Sequence, residues 1–251
     1  MASLEQNTDN TAVLIQNLTR KFGKFVAVDN INLTVSRGEI FGFLGANGAG
    51  KTTAIRMLCG ILRSSGGNAW VAGIDINKKP ELVKRKIGYM SQKFSLYNDL
   101  TISENLTFYG GIYGLKRKVI SQRSRDLLDR LKLVGFRNRM TGALPLGYKQ
   151  RLALGCSVLH RPRVLFLDEP TGGVDPVARR EFWDLIYELS DQGTTIFVTT
   201  HYMDEAEYCN RVSIMDQGRI IALGKPTELK QEHNVKTMQE VFFDVVQPVI
   251  T

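Results

Sequence analysis

The chain has 251 residues, of which 43% are hydrophobic and 23% are charged, a composition typical of an ordinary soluble globular protein with a sizeable core. No apolar run approaches the ~20 residues of a bilayer span, which argues against a membrane-spanning chain. The 33 lysines and arginines exceed the 25 acidic residues, giving a net charge of +8. This charge favours anionic partners such as nucleotides, nucleic acid or an anionic lipid surface, although a soluble surface with a basic bias explains it equally well.

The N-terminus, MASLEQNTDN, lacks the apolar core of a signal peptide, so we expect a cytosolic protein that serves a membrane only through a partner. Residues 1–12 are predicted to be a disordered N-terminus. Cys59, Cys156 and Cys209 lie far apart and form no CxxC pair. They are therefore predicted to be buried apolar side chains in a reducing compartment, not a disulfide or metal framework.

The segment from Val13 to Gly45 has a strand-like pattern. Its runs LIQNLTRKF, AVDNINLTV and EIFGFLG carry alternating or β-branched apolar residues, with the turns FGK and SRGE between them. A further short strand, NAWVAG, precedes a charged segment at 77–86. These patterns predict an N-terminal antiparallel β-subdomain.

The run GANGAGKTT follows the strand EIFGFLG and opens the helical run KTTAIRMLC, which is the context that a P-loop requires. Its glycines let backbone N–H groups point inward, and the helix N-terminus adds positive potential, so the loop forms an anion cradle. Lys51 is placed to reach the β- and γ-phosphates, the Thr52 hydroxyl to bind Mg²⁺, and Thr53 to reach the α-phosphate. The predicted nucleotide-binding residues of this loop are Gly45, Asn47, Gly48, Ala49, Gly50, Lys51, Thr52 and Thr53.

The middle of the chain, about 93–162, has helical periodicity, with the amphipathic runs ISENLTFYGGIYGL and VISQRSRDLLDRLKLVGF. Two apolar strands follow, VLFLD and TTIFVTT, separated by a helix for which Asp175 is the N-cap and Pro176 the first residue. Strand, helix, strand with continuous apolar strands predicts a parallel sheet covered on both faces. The hairpin RVSIMDQGRIIALG closes the domain. The predicted fold class is α/β: a P-loop NTPase core with a mainly parallel sheet, the N-terminal antiparallel β-subdomain and an inserted helical subdomain.

Two carboxylates end the strand of VLFLDE, where α/β sheets place their ligands. A P-loop site needs one carboxylate to hold Mg²⁺ and another group to orient or deprotonate the attacking water. Asp168 fits the first role and Glu169 the second. Taken alone, the same two residues would fit a helix cap or an acidic surface equally well.

The P-loop, the helical insertion, VLFLDEPTGGVDP and TTH together resemble the nucleotide-binding subunit of an ATP-binding cassette (ABC) transporter over nearly the whole chain after residue 12. The resemblance implies an ABC ATPase domain at 13–230, whose helical subdomain covers about 93–162, and a C-terminal tail at 231–251. It implies ATP hydrolysis, with ATP and Mg²⁺ as cofactors.

The same resemblance assigns roles to four further residues. Phe22, in KFG, resembles the aromatic residue that stacks on adenine. Gln92, in MSQK, resembles the glutamine that contacts Mg²⁺ and water, and His201, after TT, the histidine that holds the γ-phosphate. Asp175, in GGVD, resembles the aspartate that crosses the dimer interface. The alternatives are a core phenylalanine, a solvated loop glutamine, a structural histidine and a plain N-cap.

In this family the helical lobe carries a signature, usually LSGGQ, that faces the ATP of the other subunit. Here the aligned run is LPLGY, within LPLGYKQR, so Pro145 replaces the serine and Leu146 the first glycine. Gly147, the helix N-terminus and the cations Lys149 and Arg151 remain to face a phosphate. Loss of one charge-assisted hydrogen bond lowers the stability of the nucleotide sandwich by ~1.5–3 kcal/mol. A simple turn before a core helix is the alternative.

The segment FSLYNDLTISENLTFYGGIYGL resembles the ABC-2 type exporters, which include drug efflux systems. This implies ABC-2 type transmembrane permease subunits as partners, a second nucleotide-binding domain, identical or different, and a peripheral position on the cytoplasmic face of the inner membrane. The alternative is that the aromatic residues pack the lobe's own core. The residues that would form a docking groove are Phe94, Leu96, Tyr97, Phe108, Tyr109 and Tyr113.

Three functions are compatible with these features. The first is an ATPase that dimerises around two ATP molecules and drives an exporter, with no direct nucleic-acid partner. The second is a soluble ABC ATPase acting on nucleic acid or the ribosome, which the charge suits but the lack of tandem cassettes or sustained heptads opposes. The third is a regulatory cassette that hydrolyses ATP poorly because of Pro145 and Leu146.

Overall fold

The computed structural model of the chain describes residues 10–93 and 95–246. Phe94 and most of the predicted disordered N-terminus therefore lie outside the described residues, as does the end of the predicted tail.

The N-terminal antiparallel sheet contains β1 (Thr11–Phe22), β2 (Phe25–Ser36), β4 (Gly66–Val71) and β5 (Ile74–Asp75), and its order is β2-β1-β4-β5.

A second sheet forms the centre of the molecule. Its strands are β3 (Ile40–Leu44), β6 (Ile87–Met90), β7 (Val164–Asp168), β8 (Thr195–Thr200), β9 (Arg211–Asp216) and β10 (Arg219–Gly224). The order is β10-β9-β3-β8-β7-β6, and every pairing is parallel except the terminal hairpin of β9 and β10. The predicted α/β fold with a mainly parallel sheet is thereby confirmed.

Eight helices accompany the sheets in the described part of the chain. They are α1 (Lys51–Leu58), α2 (Pro80–Lys86), α3 (Ile102–Ile112), α4 (Arg117–Arg130), α5 (Leu146–Val158), α6 (Pro176–Asp191), α7 (Pro226–Glu232) and α8 (Met238–Val246). The inserted helical subdomain consists of α3, α4 and α5 and joins β6 to β7, as predicted. No helix within the described ranges is both long enough and apolar enough to cross a bilayer.

Alternation of side chains divides the core into two layers, because successive residues of a strand point to opposite faces of the sheet. Phe41, Phe166 and Phe197 pack on the face that carries α1 and the antiparallel sheet. The ring centroids of Phe41 and Phe166 lie 5.1 and 5.5 Å from that of Phe197. Leu165 and Val198 point to the opposite face, which packs against the helical subdomain and α6. The central strands are thus covered on both faces.

The predicted C-terminal tail contains a helix that packs on this core. Met238 and Val241 of α8 are buried and belong to the same apolar cluster as β7 and β8. The helix also contacts the 3₁₀ helix Met203–Tyr208, which follows the predicted phosphate-binding histidine. The chain up to Val246 is therefore part of the folded body.

His160 lies at the joint between the helical subdomain and the parallel sheet. Its Nε2 lies 2.9 Å from the carbonyl oxygen of Ile87, and its ring stacks on Tyr113 with centroids 3.5 Å apart. Burial lowers the pKa of His160 to about 4; the contact with Ile87 opposes this shift, and the Arg123 guanidinium adds to it. The histidine is therefore neutral in the folded protein at neutral pH.

We expect the free energy of unfolding to decrease as the pH falls from about 6.5 to about 4, because His160 takes up its proton earlier in the unfolded chain. The contribution of His160 is complete above pH 6.5 and its loss reaches up to about 3 kcal/mol near pH 4. His160→Gln, which cannot titrate, should flatten this part of the curve in urea denaturation at several pH values. Parallel pH curves for wild type and variant would contradict the assignment.

Candidate active site

The P-loop connects the end of β3 to the start of α1, and two of its glycines are required by its geometry. Gly45 has φ 150° and Gly50 has φ 108°. A methyl group on Gly45 would lie 2.3 Å from the carbonyl oxygen of Met215, and one on Gly50 would lie 2.4 Å from that of Ala27. Any side chain there would collide with backbone. The turn that aims the N–H groups inward therefore depends on glycine.

Lys51 occupies the centre of this loop. Its side chain is 4% exposed, and Nζ donates hydrogen bonds to the carbonyl oxygens of Gly45 at 2.7 Å and Ala46 at 3.0 Å. Nζ also lies 3.9 Å from Oε1 of Glu169. Burial lowers the pKa of Lys51, and the negative charges of Glu169 and Asp168 oppose that shift. The loop thus presents a desolvated cation beside its anion cradle.

Asp168, at the end of β7, is joined to the P-loop helix and to β8 by two hydroxyl groups. The Thr52 hydroxyl donates to Oδ1 at 3.0 Å and the Thr199 hydroxyl donates to the same oxygen at 2.8 Å. Burial raises the pKa of Asp168; the hydrogen bonds from Thr199 and Thr52 oppose this shift, and the charge of Glu169 adds to it. A hydroxyl and a carboxylate are hard oxygen donors, the set that suits Mg²⁺ when phosphate oxygens and water complete its shell.

Glu169 lies at the meeting point of three segments. Gln92 donates a hydrogen bond from Nε2 to Oε2 of Glu169 at 2.9 Å, and Nδ1 of His201 lies 3.3 Å from the same oxygen. The backbone of Glu169 has φ 50°, a left-handed conformation that is rare for a residue with a side chain. Its N–H donates to the carbonyl and the hydroxyl of Thr199, at 3.1 and 3.0 Å. The three predicted catalytic residues are therefore in direct contact.

The remaining predicted nucleotide contacts lie at the end of β1, in the P-loop and in the first turn of α1. Phe22 ends β1 with 47% of its surface exposed, and the Arg20 guanidinium lies 4.5 Å above its ring. A half-exposed ring at a strand end is available to stack on a base, and it is not a core residue. Asn47 is exposed, Ala49 is buried, and Thr53 lies partly buried in the first turn of α1.

Gly147 and Asp175 are placed apart from the P-loop. Asp175 caps α6, accepting hydrogen bonds from the N–H groups of Val177 and Ala178, each at 3.0 Å. Gly147 lies in the first turn of α5, behind Pro145. Among the described residues, no hydrogen bond or ion pair joins either residue to the P-loop. Within one chain, these two residues do not belong to the centre around Glu169.

The expectation that Arg151 faces a phosphate is wrong for this structure. Its guanidinium forms an ion pair with Glu181 of α6 and is 12% exposed. Arg151 lies about one helical turn after the start of α5. Its side chain points toward α6 because Glu181 is the acidic partner within reach. Lys149 donates to the carbonyl oxygen of Gly142 at 3.1 Å. The exposed part of the altered signature consists of Pro145 and Leu146.

Thr199 was not predicted as a site residue, yet its hydroxyl orders both Asp168 and the N–H of Glu169. The signal for it is the pair of threonines that precedes His201 at the end of a fully buried strand. A polar β-branched residue at that point indicates a hydrogen-bonding partner on the neighbouring strand.

Comparison with known proteins agrees with this arrangement. The family model described as ABC transporter matches residues 28–172. The chain belongs to the ABC transporter family. It is 45% identical over 249 residues to the probable multidrug ABC transporter ATP-binding protein YbhF of Escherichia coli K12. The match covers 97% of this chain but 43% of YbhF. The chain therefore spans less than half the length of that relative.

Two further similarities place the chain within the family. It is 38% identical over 215 residues to the linearmycin resistance ATP-binding protein LnrL of Bacillus subtilis, covering 85% of this chain and 69% of LnrL. A solved dimeric structure of the ATP-binding cassette MJ0796, in a post-hydrolysis state with ADP and Pi, superimposes with a TM-score of 0.78 at 25% identity. It covers 85% of this chain and 98% of that chain. The fold and the ATP-binding family are thus shown independently of the site geometry.

We expect Gly50→Ala to abolish ATP binding and to lower the free energy of unfolding by more than about 2 kcal/mol, since the new methyl group would collide with the carbonyl oxygen of Ala27. Gly73→Ala is the matched control, because Gly73 has φ 77° but nothing within 4 Å of an added methyl group. The control should retain ATP binding and lose only about 1 kcal/mol from its backbone conformation. Titration with a fluorescent ATP analogue measures the ATP affinity of each variant, and urea denaturation measures its free energy of unfolding. Equal ATP affinity in the two variants would contradict the proposed cradle.

Proposed function

We propose that this chain is an ATP-binding and ATP-hydrolysing cassette that powers an ABC-type exporter through ATP-dependent dimerisation. The observation that carries the proposal is the contact of Glu169 with Gln92 and His201, directly beside the P-loop lysine. A carboxylate that accepts a hydrogen bond from an amide and lies beside an imidazole, next to an anion cradle, is suited to activating water against a phosphate.

Each residue of this centre has a role that its position supports. The P-loop N–H groups and Lys51 bind the phosphates of ATP, and Phe22 stacks on the base. Thr52, Asp168 and Gln92 would hold Mg²⁺, which, when bound, supplies positive charge to the β- and γ-phosphates. Glu169 orients the attacking water and accepts its proton. Nδ1 of His201 faces Glu169. The opposite edge of the ring, with Nε2, would therefore be the edge that binds the γ-phosphate.

The proposed dimer follows from the residues that lie away from the P-loop. Gly147, at the N-terminus of α5, and Asp175 lie away from the P-loop of their own chain. We propose that they contact an ATP molecule that is bound to the P-loop of a second cassette. The dimeric form of MJ0796 with ADP and Pi supports this arrangement. The second cassette can be identical to this chain or different from it. Since ATP binds across the interface, it stabilises the closed dimer, and hydrolysis reopens it.

The proposed membrane partner is an ABC-2 type permease, and the supporting surface is formed by α3 and the segment that precedes it. Tyr97 and Phe108 are 43% and 40% exposed, with ring centroids 4.6 Å apart, and Ile112 beside them is 61% exposed. Adjacent exposed apolar side chains of this kind suit a partner helix. The predicted groove is smaller than expected, because Leu96, Tyr109 and Tyr113 pack inward.

The names of the relatives support export as the direction of transport. YbhF is described as a probable multidrug transporter protein and LnrL as a linearmycin resistance protein. We propose by analogy that the exported substrates are drugs or other small molecules, and that the cassette acts at the cytoplasmic face of the inner membrane. A nucleic-acid partner is supported only by the net charge, so it is the weaker proposal.

We expect Glu169→Gln to reduce ATP turnover by at least about 100-fold, because the amide cannot accept the proton of water. The variant should still bind ATP and should accumulate as a Mg-ATP-dependent dimer in light scattering. Glu188→Gln is the control, since Glu188 lies on the surface of α6 in an ion pair with Arg130. Its turnover should match that of wild type. Turnover by Glu169→Gln at the wild-type rate would remove Glu169 from the reaction.

We expect Pro145→Ser to strengthen the ATP-dependent dimer by roughly tenfold to a hundredfold, because serine restores a hydroxyl and an N–H at the start of α5. Pro145 is the N-cap of α5, and serine is also a favoured residue there. Sedimentation of Glu169→Gln with and without Pro145→Ser gives the two dimerisation constants. If both constants are equal, this stretch does not face the nucleotide and is only a helix start.

A further inference from the structure

Glu205 is a charged residue that the site described above does not use. It lies in the 3₁₀ helix Met203–Tyr208, four residues after His201, and its relative exposure is 0%. A buried carboxylate destabilises a protein unless it is paired and hydrogen-bonded. Its partners therefore indicate why it is retained at this position.

Those partners come from the loop that follows Glu169 and from α6. The Thr171 hydroxyl, itself 1% exposed, donates to Oε1 of Glu205 at 2.5 Å. Nε of Arg179, in the first turns of α6, lies 3.6 Å from the same oxygen. Thr171 is two residues after Glu169, and Arg179 is four residues after Asp175. One carboxylate thus joins the segment of the proposed water-activating residue to the helix that Asp175 caps.

The same arginine also reaches the segment of His201. The Arg179 guanidinium lies 4.2 Å from the ring centroid of Tyr202, and the ring of Tyr202 lies 4.2 Å from that of His201. Contacts therefore run without a break from His201 through Tyr202 and Arg179 to Glu205 and Thr171. His201, at one end of this series, contacts Oε2 of Glu169 directly. Thr171, at the other end, follows Glu169 by two residues.

The ion pair at the centre of this series is incomplete. Oε2 of Glu205 and Nε of Arg179 are buried, and neither has a hydrogen-bond partner among residues 10–93 and 95–246. A movement of about 0.6 Å would bring the 3.6 Å separation within normal hydrogen-bond distance. The outer part of the guanidinium is partly exposed, and its Nη1 lies 3.5 Å from the exposed Asp204. Closing of the buried Nε on Glu205 would favour one arrangement of the two segments over others.

We propose that Glu205 is a positioning residue for ATP hydrolysis: through Thr171 and Arg179 it fixes the Glu169–Asp175 loop relative to His201. This inference rests on the proposed ATPase function. The carboxylate touches neither nucleotide nor water, so its effect is on the geometry of Glu169 and His201 in the reacting state. Binding of ATP by the P-loop does not depend on it.

The test is Glu205→Gln, which preserves the volume and the acceptor for Thr171 but removes the charge facing Arg179. We expect kcat to fall by about tenfold to a hundredfold, with KM for ATP unchanged within about twofold. Glu207→Gln is the matched control: Glu207 lies in the same 3₁₀ helix, is 40% exposed and pairs with Lys230 at 2.7 Å. Its kcat should equal that of wild type. Single-turnover hydrolysis with enzyme in excess detects slow chemistry in every variant.

A merely structural role predicts a different result. It would lower the denaturation midpoint of Glu205→Gln while leaving kcat of the folded protein at the wild-type value, and that outcome overturns the proposal. If Glu205→Gln does not fold, Thr171→Val and its conservative partner Thr171→Ser decide the question. We expect the valine variant to lose kcat and the serine variant to regain it. Equal kcat in these two variants also overturns the proposal.

A double-mutant cycle tests whether the pair acts as one unit. Arg179→Gln and Glu205→Gln together should reduce kcat no more than the worse single variant, because residues acting together are non-additive. Additive losses would contradict the coupling. Absence of hydrolysis in wild type would overturn the proposed function and this inference with it. Wild-type hydrolysis that Glu205→Gln leaves unchanged would overturn this inference alone.

Discussion

The in-register parallel pairing of β3, β8 and β7 is the constraint on which the site depends. Leu44 lies opposite Thr200, and Thr199 lies opposite Asp168, so the three strands end at one edge of the sheet. Parallel strands bring their carboxyl ends together, which is where open α/β sheets bind ligands. A shift of one residue would point Asp168 into the apolar core, because successive side chains alternate between faces. The phenylalanine layer around Phe197 makes such a shift unfavourable.

Taken by themselves, the residues of the site destabilise the fold. Lys51 and Asp168 are both desolvated, which lowers the pKa of the lysine and raises that of the aspartate, and Glu169 has a left-handed backbone. Left-handed and buried-charge features of this kind persist only where surrounding structure holds them. Here the support is the hydroxyl of Thr199, which contacts Asp168 and the N–H of Glu169 together. Function is therefore supported by a strand residue that carries no chemistry of its own.

Much of the fold could be predicted because its signals are local. The strand VLFLD has the predicted bounds, Asp175 caps its helix, and the P-loop needs glycines at sites where a methyl group would collide with backbone. The failures concern side chains whose partners are distant in sequence. Arg151 turns to Glu181, 30 residues away, and not to a phosphate, and Tyr113 stacks on His160 and not on a partner subunit. Glu205 had no signal, because its partners Thr171 and Arg179 meet it only after folding.

The altered signature can be judged by what remains at the start of α5. Within the described chain, no side chain caps this helix and its first turn contains no acidic residue. The positive end of the helix dipole is therefore not neutralised locally, and an anion placed there gains the full interaction. Pro145 removes a hydroxyl and an N–H, both short-range donors, but leaves the dipole unchanged. Recognition of a phosphate at this end thus depends on the helix dipole and on the backbone N–H groups of the first turn, without a side-chain hydroxyl. Since the interaction of an exposed helix end with an anion is screened by salt, the cassette dimer should weaken as the ionic strength rises.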